Sequence, residues 1–261
     1  MIDQLGRSTL RRLASVGEAS AFAARALRDA VRPPFELDEL VRQVYELGWR
    51  SFPLIGTSGV AIGVVMSMHT RATLARFGAE AMIPAGLGIS VVTEIGPLVT
   101  GLLMAGRAGA GIGAELGAMK VTEQIDALEA VAVDSFRYLS VTRVVACAIA
   151  LPLLTVVMDF AAILGGYLAE TAVSGMPFQL YLTRAFAYID FRDFLPATLK
   201  TAVFGFIIAV VGSYLGFTTS QGTEGVGRAS TRAVVISSIL IILVDVLLVR
   251  MILFFFPRGM A

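Results

Sequence analysis

One cysteine, one histidine and one tryptophan in 261 residues set the first limits. Cys147 has no partner for a disulfide and reads as a small buried apolar residue. His69 alone cannot build a His-rich metal site; a polar residue at a membrane edge is expected there, and no metal. The chain has no G-x-x-x-x-G-K-[ST] phosphate loop, no H-E-x-x-H, no Cys/His cluster and no G-x-S-x-G turn. Those absences leave no catalytic residue to assign, and any active transport would need a separate ATPase chain. Charged residues are only 16% of the total and the net charge is +1, so no nucleic-acid partner is expected.

What is present is apolar. Hydrophobic residues make up 56% of the chain and the mean hydropathy is +0.79, too high for an ordinary soluble domain. A spanning helix needs roughly 20 mostly apolar residues. The pattern predicts an all-α integral membrane protein with about five spans, at 52–69, 81–105, 143–169, 196–218 and 234–256. The first is short and glycine-rich, and a full crossing is not assured by its length. Residues 1–50 form an N-terminal amphipathic, interfacial region, and 51–261 a transmembrane domain.

Within the N-terminal region, Leu5, Leu13, Val16, Phe22, Ala23, Ala26, Leu27 and Ala30 recur at roughly helical spacing, with Arg7, Arg11, Arg12, Arg25, Arg28 and Arg32 between them. This suits a helix lying on an anionic membrane surface, and it lacks the continuous apolar stretch of a cleavable signal. Pro33-Pro34 breaks it. A second piece places Leu37, Leu40, Val41, Val44, Tyr45 and Gly48 on one face, with Glu36, Asp38, Glu39, Arg42 and Glu46 across much of the other. Trp49 and Arg50 end it as interface anchors. Most of the 21 Lys and Arg residues fall on the N-terminal side of the membrane under this layout, which predicts a cytoplasmic N-terminus. Arg71, Arg76, Arg184, Arg192, Lys200, Arg250 and Arg258 are then the outer set. The outer loop 170–195 carries Met176-Pro177, Tyr181, Phe186, Tyr188 and Phe191, and reads as a segment resting at the interface.

Two patterns inside the spans bear on packing and chemistry. Gly59, Gly63 and Ser67 fall four apart, as do Gly212 and Gly216. Such spacing lets helix backbones approach closely, either within one chain or across a dimer. Glu94, Asp159, Asp245 and Arg250 are charges in apolar stretches, where an ionisable group needs a partner or a wet cavity. Glu94 lies in Thr93-Glu94-Ile95-Gly96-Pro97, where the proline frees a carbonyl one turn earlier; function and structural hydrogen bonding are both open readings. For Asp159 and Asp245 the structural reading leads, and Arg250 can snorkel to the outer surface.

The largest cytoplasmic connection, 106–142, begins glycine-rich and then turns amphipathic, with Thr122 placed to cap a helix start. Ile125, Leu128 and Val131 share a face; Glu123, Asp126 and Glu129 form an acidic one. A short exposed helix between spans can dock in a partner's groove or simply be a solvated loop helix. A second, smaller connection covers 219–233.

Three runs are more specific. They are Ala105-Gly106-Arg107-Ala108-Gly109 followed by the stretch from Ala114-Glu115-Leu116-Gly117 to Asp126-Ala127-Leu128; Glu224-Gly225-Val226-Gly227-Arg228 through Ser237-Ser238; and Leu151-Pro152-Leu153-Leu154-Thr155 with Gly165-Gly166 downstream. Over about residues 35–256 they resemble, in order, the MlaE-type permeases, the membrane subunits of lipid ABC transporters that work with MCE proteins. The resemblance implies a homodimer in a bacterial inner membrane, two ABC-type ATPases on its cytoplasmic face and an MCE-domain substrate-binding protein on its outer face. It implies that residues 115–131 are the coupling helix, with Glu115, Lys120, Glu123, Gln124, Asp126 and Leu128 as the ATPase-coupling residues. It implies a phospholipid pocket lined by Met66, Thr73, Leu74, Phe77 and Ile95, with Glu94 nearby. No cofactor is expected on this chain, since ATP would be used by the ATPase. Many members carry arginine just before the intramembrane glutamate; this chain has Thr93, which removes a local cation for Glu94. The competing functions are a non-transporting scaffold that anchors MCE proteins and an ion-coupled secondary carrier using Glu94 and Asp159.

Overall fold

In hydrocarbon a backbone must satisfy its own hydrogen bonds, and a helix does so within one segment; the apolar runs accordingly become long helices. The computed structural model describes residues 2–33, 36–220 and 222–255, apart from the side chains of residues 2–13 and 15. Over these residues the chain is helical, without a strand: α1 (Ile2–Ala30), α2 (Leu37–Trp49), α3 (Phe52–Leu74), α4 (Glu80–Val121), α5 (Gln124–Ala130), α6 (Phe136–Ser174), α7 (Phe178–Ala185), α8 (Phe191–Phe217) and α9 (Gly222–Phe255). Among them, 5 stretches are long and apolar enough to cross a membrane: Leu37–Phe77, which holds α2 and α3, then α4, α6, α8 and α9. The protein is an all-α, multi-pass membrane protein. The side chains of Leu5, Arg7, Arg11, Arg12 and Leu13, and residues Pro34 and Arg258, lie outside the described residues.

Several expectations are corrected. The first span is not short: α3 has 23 residues, a length of about 34 Å at 1.5 Å per residue, enough to cross a hydrocarbon core of about 30 Å. The connection 106–142 is mostly helix, because α4 runs on to Val121 and α6 begins at Phe136. Glycine at 106, 109, 111 and 113 does not end α4, since helix-on-helix packing outweighs propensity there. Residues 115–131 therefore form no single helix. They are the end of α4 and then α5, separated by a turn in which Glu123 adopts φ 60°. Thr122 does not cap α5; its hydroxyl donates back to the Ala118 carbonyl, 2.9 Å away, and closes α4. The connection 219–233 is likewise the first turns of α9. The outer segment does not simply rest at an interface either: within α7, Tyr181 and Ala185 are buried.

Two compact units divide the chain. One takes Met1–Gln43, Ala105–Cys147 and Phe206–Ser237. Its packing centres on Phe22 of α1, whose ring meets those of Phe136 at 4.9 Å and Tyr214 at 5.8 Å, both edge-on. The Arg25 guanidinium lies 4.0 Å from the Phe136 centroid. Burial pushes the Asp29 carboxyl up, but the Arg28 guanidinium, with Arg137 and Arg25, outweighs it and holds Asp29 below its ordinary range. At α2, Glu39 turns inward rather than outward: it is buried and accepts from Gln43 at 2.8 Å and Arg42 at 2.9 Å. Leu37 and Val41 point out instead, an apolar face that suits bilayer contact. Gly216 packs on α4, where a Cβ would stand 2.6 Å from that of Leu116.

The other unit takes Val44–Met104, Ala148–Gly205 and Ser238–Ala261. Its core gathers Leu87, Val91 and Val92 of α4, Ala162 and Ile163 of α6, and Tyr181 and Ala185 of α7. α3 crosses α6 backbone against backbone. A Cβ at Gly63 would overlap the Ala162 carbonyl, and one at Gly165 the Val60 carbonyl. The stripe Gly59, Gly63 and Ser67 is therefore buried by packing within the chain.

Candidate functional site

Gly96-Pro97 shapes the first part of the site. Proline has no N–H to return to the carbonyl of Thr93, and its ring crowds that turn. The preceding residues Val91–Ile95 widen into a π-type turn, and the Gly96 N–H reaches back to the Val91 carbonyl. Such single wide turns concentrate at functional positions in helices. Thr93 steadies the turn by donating its hydroxyl to the Ile89 carbonyl at 2.7 Å. The widening presents Glu94, 42% exposed at its side chain, to a cavity of about 130 Å³.

The counter-charge comes from α8. Lys200 is buried, 1% exposed, and its ammonium sits 2.8 Å from Glu94 Oε2 and 2.9 Å from Asp245 Oδ1 of α9. One cation and two carboxylates, from three different helices, thus meet. Arg192 and Asp193 also line the cavity, with Val249, Ile252 and Leu253 as its apolar side. Sequence reasoning placed Lys200 among the outer charges and missed it. The signal was present: it falls inside the apolar run 196–218, opposite in sign to Glu94 and Asp245. A second missed pair is Arg71 of α3 with Glu170 of α6, where the guanidinium meets both carboxylate oxygens and Glu170 is almost wholly buried. Both residues stood at ends of spans that were expected on one side of the membrane.

The other expected pocket residues are spread along α3 and the turn. Ile95 shares the wide turn with Glu94 and is half-buried. Met66 packs on the core around Leu87 and Val91. Thr73 is exposed and donates to the His69 carbonyl at 3.2 Å, Leu74 is half-buried, and Phe77 is 79% exposed. None of Met66, Thr73, Leu74 or Phe77 lines the cavity beside Glu94. Arg250 lies exposed near the end of α9.

The expected coupling residues surround the α4–α5 turn. Glu115 of α4 accepts from Arg143 of α6 at 2.7 Å; Arg143 is fully buried and also donates to the Leu139 carbonyl. Lys120 bridges the turn to Asp126 at 2.9 Å. Ile125 is buried and Leu128 half-buried, while Glu123, Gln124 and Asp126 are exposed. Ser135 donates to Glu129 at 2.6 Å, closing the far end of the segment. Wide turns flank the whole piece, at Ala105–Gly109 in α4 and Phe136–Val141 in α6.

Five stretches long and apolar enough to cross a membrane, with a buried charge cluster joining three of the helices, make this a multi-pass membrane protein. The sequence profile of the MlaE permease family matches residues 40–251, and the chain belongs to that family. It is 37% identical to a probable ABC transporter permease of Rickettsia bellii over 249 residues, covering 95% of this chain and 96% of the relative. It is 31% identical over 250 residues to the intermembrane phospholipid transport system permease protein MlaE of Haemophilus influenzae, covering 95% of each. A chloroplastic Arabidopsis thaliana protein, TRIGALACTOSYLDIACYLGLYCEROL 1, is 32% identical over 208 residues, covering 80% of this chain and 59% of the relative.

Proposed function

We propose that this chain is the membrane subunit of an ABC transporter that moves phospholipid between a bacterial inner membrane and an MCE-protein conduit. The observation that carries the reading is the 31% identity, over 95% of both chains, to a permease named for intermembrane phospholipid transport. In this reading the N-terminus is cytoplasmic, the chain pairs with a second copy, and residues 51–261 form the permease domain behind an interfacial 1–50. The exposed apolar face of α9, with Leu243, Val246 and Leu247, supports burial against lipid or a partner copy.

Met66, Thr73, Leu74, Phe77 and Ile95 supply apolar wall for acyl chains, and the Glu94–Lys200 pair supplies charge for a head group. The exposed acids of the α4–α5 turn dock on the ATPase, and the Arg143–Glu115 pair carries the push into α6. Lipid leaves when ATP binding favours a state with lower affinity for it.

The test is reconstitution of the chain with its ATPase in vesicles and measurement of lipid transfer. ATP-stimulated transfer that falls at least tenfold in Leu74→Asp and Phe77→Asp is expected. Assembly with MCE protein but no ATP-stimulated transfer identifies a scaffold instead. Transfer driven by a pH gradient without any ATPase identifies an ion-coupled carrier.

A further inference from the structure

A second cavity, of about 280 Å³, opens between α4, α6, the connection after α7 and the start of α8, and none of the residues assigned to lipid transport lines it. Its wall is aromatic, with Phe160, Phe186, Phe191 and Phe194, and its polar members are Asp159 and Asp190. No lysine or arginine lines it. Asp159 is 2% exposed, and neither of its carboxylate oxygens has a hydrogen-bond partner. One of those oxygens presses against Gly96, where a Cβ could not fit.

A carboxyl group held in apolar surroundings without a donor stays neutral unless a counter-charge reaches it. The described residues that line the cavity provide none, and its other charged member, Asp190, has the same sign. A cation in the cavity therefore favours the ionised form of Asp159, and an anion opposes it. Aromatic rings present negative faces, and cages of such rings recognise quaternary ammonium groups. Phe160 and Phe191, 60% and 72% exposed, form an apolar rim on the flank of spanning helices. The volume is at the small end for ligand sites and suits a head group rather than a whole lipid.

We infer that the cavity beside Asp159 binds the alkylammonium head of a bilayer amphiphile, whose tails remain outside along the rim. Phe160 and Phe186 face the cation, and Asp159 pairs with it. The inference does not rest on the transport reading, since binding is read on the permease chain alone.

The experiment uses the full chain in phosphatidylglycerol nanodiscs doped with a photoactivatable trimethylammonium amphiphile, with cross-links mapped by mass spectrometry. Saturable labelling of peptides around residues 159–163 and 186–194 is expected, reduced at least tenfold in Asp159→Asn and severalfold in Phe186→Leu. The asparagine keeps the side-chain shape and removes the charge; the leucine removes a ring and leaves the acid in place. Added phosphatidylcholine is expected to displace the probe and added phosphatidylglycerol to leave it. Displacement by free choline but not by phosphatidylcholine keeps the ammonium chemistry and overturns the bilayer source. Labelling that does not saturate, or that neither variant changes, overturns the site.

Discussion

Lys200, buried on α8, neutralises two carboxylates at once. Removing one member of a buried ion pair leaves an uncompensated charge and costs about 3–5 kcal/mol, whereas replacing the whole pair by apolar residues is often neutral. Lys200→Met is therefore expected to lower stability by about that amount, read as the thermal unfolding midpoint in detergent. Adding Asp245→Leu to it should recover most of the loss, because Glu94 is the half-exposed member and can stay hydrated in its cavity. A Lys200→Met protein as stable as the parent would mean that the ammonium is not the partner of the two acids. The cation for Glu94 arrives from α8 rather than from the neighbouring position, which is Thr93.

At the scale of elements, the close crossing of α3 and α6 makes the sharpest demand on sequence. A methyl at Gly63 would overlap the Ala162 carbonyl, whereas a Cβ at Gly56, two turns earlier on α3, meets nothing within 4 Å. Overpacking of a tight interface costs about 1–3 kcal/mol. Gly63→Ala is expected to lose about that much and Gly56→Ala to lose little or gain slightly through helix propensity, both measured by thermal unfolding. Equal effects at the two positions would place the α3–α6 crossing elsewhere. The same helix shows what was legible beforehand. Its glycine spacing announced close approach, but period alone does not name the partner, and only α6 turned it into a contact within one chain. Composition and length likewise located the five apolar runs, while their ends were misjudged. Gly106 to Gly113 read as loop because propensity is a local property, and packing against α8 and α9 keeps α4 helical through them. The charge partners were the least legible. Glu94 and Lys200 lie 106 positions apart, and Arg71 and Glu170 lie 99 apart. Pairing over such separations is decided by which helices become neighbours.

On the scale of the whole molecule, the proposed function needs energy to enter from an ATPase through a surface, and the α4–α5 turn is the surface that this reading assigns. Arg143 buries a full charge to hold Glu115, so a displacement of α4 at this point pulls on α6 through a charge-assisted bond rather than through loose apolar contact. The wide turns at Ala105–Gly109 and Phe136–Val141 interrupt the regular ladder on both helices, and such turns are where helices bend. Glu123 and Asp126 stand exposed on that segment and make no packing contribution of their own beyond the surface pair with Lys120, which is worth roughly 0–1 kcal/mol. Reversing both to lysine should therefore leave insertion and thermal stability nearly unchanged while abolishing the acidic contact surface. The expected result is a Glu123→Lys/Asp126→Lys permease that no longer captures its ATPase in pull-down and transfers lipid at least tenfold more slowly with ATP present. Glu115→Gln separates docking from transmission: it keeps the acids of the turn but weakens the tie to Arg143, so the ATPase should still bind while transfer falls. If the double reversal binds and transports like the parent, the energy enters by another surface, and the α4–α5 turn is only a connection between spans.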